Sequence, residues 1–401
     1  MAAIRIAQPA AGQGHFSQMS RPLKIAMLVT DARVPGGLYD GPLPSLGTAP
    51  DALLQGFAGM PEIEIHVVSC VQQPVRAPEK IAPNIFYHSL LVPKIGWLRT
   101  GYQGCIRATR KKLRELQPDL VHAQGTERDC AVSAVFSGFP NVLTIHGNMR
   151  AVARALGARP GSFFWLTAKL ETFTLRRTSG VFCNSAYTEK LVAATAVPTW
   201  RVPNALRSDF FTVPLAQKKT GPPILLNVGS ALPYKQQCGL LALARNLHQR
   251  GVKFEMHFAG DLALHSDHGA EFARQLVAPD LAGYVRHLGS LSTRQLIAAM
   301  DAASALIHFP TEESFGLVVA EALARNLKLF AAATGGVVDI AAGVDGAELF
   351  APADFLGLEN ALAGWLAADC PAPRHAAETM RQRYHPEVVA RRHLEIYREI
   401  A

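Results

Sequence analysis

The chain has 401 residues and a formal charge of +8, with 18% charged residues, an ordinary share for a soluble globular protein. That length suffices for two domains with sizeable cores, and no apolar run reaches the roughly 18 to 20 residues that span a bilayer. The six cysteines, scattered without a CxxC pair, indicate neither a disulfide framework nor a zinc site, and the charge suits an anionic partner of any kind.

Residues 1–21 are rich in Ala, Gly, Gln and Ser and lack the uninterrupted apolar core of a signal peptide. They read as a loose extension, and a cytoplasmic location is expected. From Leu23 onward apolar strands alternate with helical segments in the order of a doubly wound α/β sheet. The clearest strands of the first half are 23–30, 63–69, 120–124, 142–146 and 180–184. Between the first strand and a helix starting near Thr48 or Pro50 lie Gly36, Gly37, Gly41 and Gly47, and Gly47 is placed for close backbone approach to a ligand. A basic stretch with Arg107, Arg110, Lys111, Lys112 and Arg114 falls on a helix carrying Ile106 and Leu113. It reads as a solvated face, with contact to an anionic membrane as the alternative.

His122 and His146 each sit toward the end of a strand, His146 followed by Gly147. Proline, glycine and lysine mark 213–223 as a linker between a first domain at 22–212 and a second at 224–384. A second strand series follows at 224–228, 254–259, 285–288, 303–309 and 327–331. Gly229, Ser230 and Lys235 come after its first strand, and Arg286 and Leu288 lie on its third. Ligands in open α/β sheets sit outside the carboxyl ends of the strands, so two facing sheets offer a cleft.

Glu313 and Glu321 bracket Ser314, Phe315, Gly316 and Leu317. The first falls in a strand-to-helix turn; the second lies within an apolar run, where an isolated carboxylate is costly. A helix starting near Phe315 would turn unpaired N–H groups and its positive end toward an anion. Spacing alone leaves a second reading open, in which Glu313 caps the helix and Glu321 pairs with Arg325 one turn on.

The run Glu313-Ser314-Phe315-Gly316-Leu317-Val318 with Glu321, followed by Gly335-Gly336, resembles the paired-glutamate signature of the retaining, family-4 type glycosyltransferases of the GT-B fold, in the version common among UDP-sugar users. The resemblance implies two facing Rossmann-like domains, with residues 385–401 forming a helix that crosses back to the first domain. It also implies a metal-independent hexosyl transfer with retention, from a nucleotide diphosphate sugar to a hydroxyl acceptor in polysaccharide or glycoconjugate synthesis. No cofactor or metal is expected, the nucleotide sugar being the substrate.

By the same resemblance Glu313 holds the donor sugar, Glu321 the ribose, Lys235 and the amides of Phe315 and Gly316 the diphosphate. His146 contacts the sugar from the opposite domain, and Arg286 and Leu288 flank the base. Gly229, Ser230, Ser314 and Leu317 complete the donor contacts, and Gly47 approaches the acceptor. Ser230 departs from the family, which places an arginine there. The rivals are a GDP-mannose transferase or sugar-nucleotide epimerase on the same fold, and a catalytically silent nucleotide-sugar binder. Nucleic acid is not an expected partner, since no zinc-finger spacing or RNA-binding aromatic motif accompanies the charge.

Overall fold

The computed structural model describes residues 21–33, 41–195, 197–215 and 221–401. The N-terminal extension up to residue 20, Gly36, Gly37 and the middle of the linker lie outside these residues.

The first sheet contains β1 (Leu23–Leu28), β2 (Ile63–Val71), β3 (Lys80–Ala82), β4 (Ile85–Leu91), β5 (Leu120–Gln124), β6 (Asn141–Ile145), β7 (Val181–Cys183) and β8 (Thr199–Arg201). Their order is β3-β4-β2-β1-β5-β6-β7-β8, parallel except for the β3–β4 pair. β1 is central, with Ile25 opposite Ile65 on one side and Leu120 on the other. Because side chains alternate across a strand, Ile25 and Met27 enter one core and Ala26 and Leu28 another. Burying each of the larger side chains, Ile25, Met27 and Leu28, contributes roughly 1.5–3 kcal/mol.

Helices of this half include α1 (Thr48–Phe57), α2 (Gln103–Leu116), α3 (Asp129–Val135), α4 (Met149–Ala155), α5 (Phe163–Leu175) and α6 (Ala186–Val192). Local chemistry fixes several starts: the Asn148 side chain accepts from the Ala151 amide at 2.8 Å, and Ser185 with Thr188 forms a capping box at α6.

The second sheet contains β9 (Ile224–Val228), β10 (Glu255–Ala259), β11 (Val285–His287), β12 (Ala305–His308), β13 (Lys328–Ala332) and β14 (Ala347–Phe350), in the order β11-β10-β9-β12-β13-β14. All its pairs are parallel. The strand order reverses at β9, a switch point that opens a crevice at the carboxyl ends. The architecture is α/β, with two sheets of the Rossmann type.

The C-terminal helix Pro386–Ile400 packs on α1 in the first half, where the ring of Tyr397 stacks on Phe57 with centroids 6.1 Å apart. A Cβ at Gly56 would lie 2.1 Å from the Pro386 carbonyl oxygen, so only glycine admits the crossing. His393 lies flat against Phe182 at 4.8 Å. Val389, His393, Ile396 and Tyr397 face inward, whereas Val388 points to solvent.

Several strands are shorter than their apolar runs. β1 ends at Leu28 rather than Thr30, and β7 spans Val181–Cys183 within the predicted 180–184. β3, β4, β8 and β14 carry exposed or half-buried positions and gave no continuous apolar run to read.

Candidate active site

A recess of about 360 Å³ lies between the halves, lined on one side by the start of α1 with Gly47, by Gln124, Glu127, His146 and Asn204, and on the other by Glu313, Phe315, Gly316 and Leu317. Of the residues singled out in the sequence, Glu313, His146, Gly47, Phe315, Gly316 and Leu317 thus meet around one space.

Glu313 follows β12 in a turn that rests on the backbone of Gly335 and Gly336. A Cβ at Gly335 would lie 1.7 Å from the Glu313 carbonyl oxygen, one at Gly336 2.7 Å from the Phe315 Cα, and the Gly336 amide donates to that same carbonyl at 3.2 Å. The turn exits through Gly316 at φ 99°, which suits glycine, and the helix begins at Leu317, two residues later than the sequence suggested.

Lys235 Nζ donates to Glu313 Oε2 at 2.6 Å, and His308 Nε2 meets the same oxygen at 3.0 Å. Oε1 has no hydrogen-bond partner among the described residues. Burial would push the Glu313 carboxyl up, but the charge of Lys235 and the hydrogen bond from His308 outweigh it and hold the pKa at about 2. Burial also lowers the His308 pKa, so it serves as a neutral donor.

Across the recess, burial takes the His146 pKa down to about 4, leaving the imidazole neutral. Gln124 Oε1 accepts from His146 Nε2 at 2.9 Å, which leaves Nδ1 as the acceptor nitrogen, buried, with the Asn204 side chain nearby but no hydrogen bond of normal geometry among the described residues.

Glu321 is buried in the helix Leu317–Leu323, and its partner is Arg207, 3.2 Å away, rather than Arg325. Arg325 instead pairs with Asp301 and donates to the carbonyls of Phe210, Val213 and Pro214. Burial raises the Glu321 pKa against the opposing charge of Arg207. Arg207 also reaches the Thr293 hydroxyl, which ties the interdomain connection to the acid.

The remaining candidates lie outside the recess. A Cβ at Gly229 would lie 3.9 Å from Lys235 Cδ, and Ser230 is solvent-exposed, its carbonyl accepting from Gln237 at 2.9 Å. Arg286 is paired with Glu255 at 3.3 Å on the exposed end of β11, and Leu288 packs partly into the core with its amide on the Phe258 carbonyl. Ser314 is taken up between the halves: its carbonyl accepts from Ser185 Oγ at 2.6 Å and its hydroxyl oxygen from the Asn148 amide at 3.4 Å. Tyr187 adds a bond to Glu312 at 2.7 Å and the Ala186 amide one to Asp339 at 2.6 Å.

His122 is fully buried between Tyr397 and Thr144, a core position joining β5, β6 and the C-terminal helix. Sequence reasoning missed Arg207, His308 and Glu127. His308 could have been noticed as the polar end of an apolar strand five residues before Glu313, but nothing in the spacing points to Arg207. Glu127 stands in the recess wall, and burial raises its pKa to about 7.

Among the described residues one group has metal-ligand spacing, Cys70, Cys105 and Asp129, which scattered cysteines gave no reason to expect. It is packed into the core beside α2, and burial raises the Asp129 pKa to about 6. No described helix is long and apolar enough to cross a membrane.

Two Rossmann-like α/β domains with a recess between them, bearing a buried acid, a cation and a histidine, make the architecture that of the GT-B fold. The glycosyl transferases group 1 family matches residues 214–383 and glycosyltransferase family 4 matches residues 52–208, and the chain belongs to these group 1, family-4 enzymes. Among solved structures, sucrose-phosphate synthase from Thermosynechococcus elongatus is 18% identical with a TM-score of 0.73, over 94% of this chain and 98% of that one. Anabaena HepE in complex with UDP-glucose is 16% identical with a TM-score of 0.69, over 94% and 100%. The apo lipopolysaccharide outer core galactosyltransferase WaaB is 14% identical with a TM-score of 0.67, over 94% and 100%. At these identities the likeness is one of fold. No curated protein matches the chain by sequence.

Proposed function

We propose that the protein transfers a hexose-type sugar from a UDP-sugar to a hydroxyl acceptor with retention of anomeric configuration and without a metal. The observation that carries the reading is the ionised Glu313, with Oε1 unpartnered among the described residues, lining the same recess as the neutral His146. A carboxylate and a neutral imidazole acceptor are both suited to sugar hydroxyls. Neither His146 nor the buried His308 would add charge to the reacting carbon.

In this reading Glu313 orients the donor sugar and Lys235 swings from Oε2 to the diphosphate. The amides at the Phe315–Leu317 turn add donors to the leaving group, and Glu321, held by Arg207, takes the ribose hydroxyls. The bond from the anomeric carbon to the β-phosphate oxygen breaks as the acceptor oxygen adds on the same face. The acceptor proton passes to that phosphate oxygen. The solved HepE complex with UDP-glucose supports a UDP-sugar as the donor class on this fold.

The test is calorimetry with UDP and GDP, followed by NMR of the sugar released from UDP-hexoses in the presence and absence of EDTA. Preferential UDP binding with slow release that survives chelation is expected. Absence of UDP binding, or release abolished by EDTA, contradicts the reading.

A further inference from the structure

Helix α5 exposes apolar side chains at its start. It buries Thr167, Glu171, Thr174 and Leu175 and turns Phe163, Phe164 and Leu166 outward, at 42%, 38% and 37% exposure. A surface helix ordinarily hides its apolar face, so a buried carboxylate on the inner side and three exposed apolar side chains on the outer side each need a cause. On the inner side the partners of Glu171 supply it: its Oε2 accepts from Thr126 Oγ1 at 2.7 Å and from the Met149 amide at 2.9 Å, fixing the start of α4 beside the recess. Nothing in the described chain supplies one on the outer side.

Charge around this face is segregated. Glu171 is the only acidic residue between Asp129 and Glu189, and it points inward. Over the same stretch Arg159, Lys169, Arg176 and Arg177 are exposed. Lys169 lies over the Trp165 ring and Arg177 over that of Phe173, at 5.4 and 3.7 Å. Aromatic and aliphatic side chains interleaved with cations and free of acids fit the headgroup boundary of an anionic bilayer.

Orientation agrees with such a role. Thr178, just past α5, bonds the Asn141 carbonyl at the start of β6. α5 therefore runs from the carboxyl ends of the strands, where the recess opens, toward the opposite end, and its exposed phenylalanines stand at the recess side. The exposed basic face of α2, with Arg107, Arg110 and Lys111, belongs to the same layer, with α3 touching both helices.

We propose that the outer face of α5 docks on an anionic membrane surface, with Phe163 and Phe164 entering the headgroup layer. The corollary, that the acceptor hydroxyl is carried on a lipid, rests on the transferase reading above; the docking itself does not. The experiment is sedimentation with phosphatidylcholine vesicles and with phosphatidylcholine–phosphatidylglycerol vesicles, alongside UDP calorimetry on the same samples. The full chain should bind the anionic vesicles at least about tenfold more tightly. F163S/F164S should weaken that binding severalfold and K169E/R176E/R177E should abolish it, with UDP affinity unchanged in both. Equal, poor binding to the two vesicle types overturns the proposal, as does binding that neither variant alters. It is equally overturned if light scattering shows a dimer that F163S/F164S dissociates, since the face would then belong to a second copy of the chain. Loss of UDP binding by the unaltered chain would count against the transferase reading alone.

Discussion

Glu313 keeps its charge in a recess where burial disfavours it, and the Lys235 ammonium 2.6 Å away is the main reason. With a folded pKa of about 2 the carboxylate is ionised throughout the neutral range, so Glu313 should impose no acid limb on activity above pH 4. In Lys235→Ala the largest opposing influence disappears and burial prevails. Turnover should fall by on the order of a hundredfold, the loss typical of one positioned donor to a leaving group. An acid limb from Glu313 should also enter the pH–rate profile, because its pKa moves upward. A profile for K235A parallel to that of the unaltered enzyme would show that Lys235 does not govern Glu313. The Glu321–Arg207 pair offers a second residue-scale test. Breaking a buried pair strands a charge, which costs about 3–5 kcal/mol, whereas neutralising both partners costs much less. Because Arg207 retains 19% side-chain exposure, the lower end applies. Urea unfolding should therefore find R207M markedly destabilised and R207M/E321Q largely restored; additive losses would rule out the coupling.

At the scale of elements, the turn carrying Glu313 is shaped less by its own residues than by the glycines it lies on. Gly335→Ala would drive a methyl group into the Glu313 carbonyl at a position where φ is already 54°. The expected result is a folded protein destabilised by about 1–3 kcal/mol, with UDP affinity reduced at least tenfold because the turn must shift. Melting and calorimetry on the same sample separate the two effects, and unchanged affinity would mean the turn is not part of the donor site. The same turn shows why part of the site was legible in the sequence. Residues 303–309 form a largely apolar run, Gly316 breaks it from the next helix, and Gly335-Gly336 recurs at the following strand end, all of it local information. β12 and β13 accordingly fall close to where the sequence put them. Arg207 and Glu321 are distant in sequence and meet only because the interdomain connection folds over the helix Leu317–Leu323, which no spacing rule encodes. The short edge strands β3, β8 and β14 are half exposed and so lacked an apolar signature. Arg286 is a different case: its strand was clear, and in the fold its side chain pairs with Glu255 and is not among the residues lining the recess.

For the molecule as a whole, the two halves are tied by the C-terminal helix, and that tie is lined with buried histidines. His122, His146 and His393 all have pKa values lowered by burial, the last two to about 4. An unfolded histidine takes up a proton near its ordinary value of 6.5 and the folded one does not, so each of these groups makes stability fall as pH drops below about 6.5, by up to about 1.4 kcal/mol per pH unit, and for His146 and His393 the fall runs down to about pH 4. Glu127 and Asp129 act with the opposite sign. Their folded pKa values, raised by burial to about 7 and about 6, let the native state hold protons that the unfolded chain has released, so stability rises as pH falls toward the ordinary carboxyl range. The net profile of the unaltered protein should thus be shallow, and a difference measurement is needed to expose one contributor. His393→Phe keeps an aromatic ring against Phe182 and removes one titrating group, at the cost of the 2.9 Å contact to the Val389 carbonyl. At pH 7 the variant should be somewhat less stable than its parent. Between about pH 6 and 4.5 its relative stability should improve by roughly 1.4 kcal/mol per unit, as the parent carries a proton-uptake penalty that the variant lacks. Urea unfolding of both proteins across that range measures the slope directly; a constant difference would mean that His393 is protonated in the fold and that the C-terminal helix is held by something other than a neutral aromatic stack.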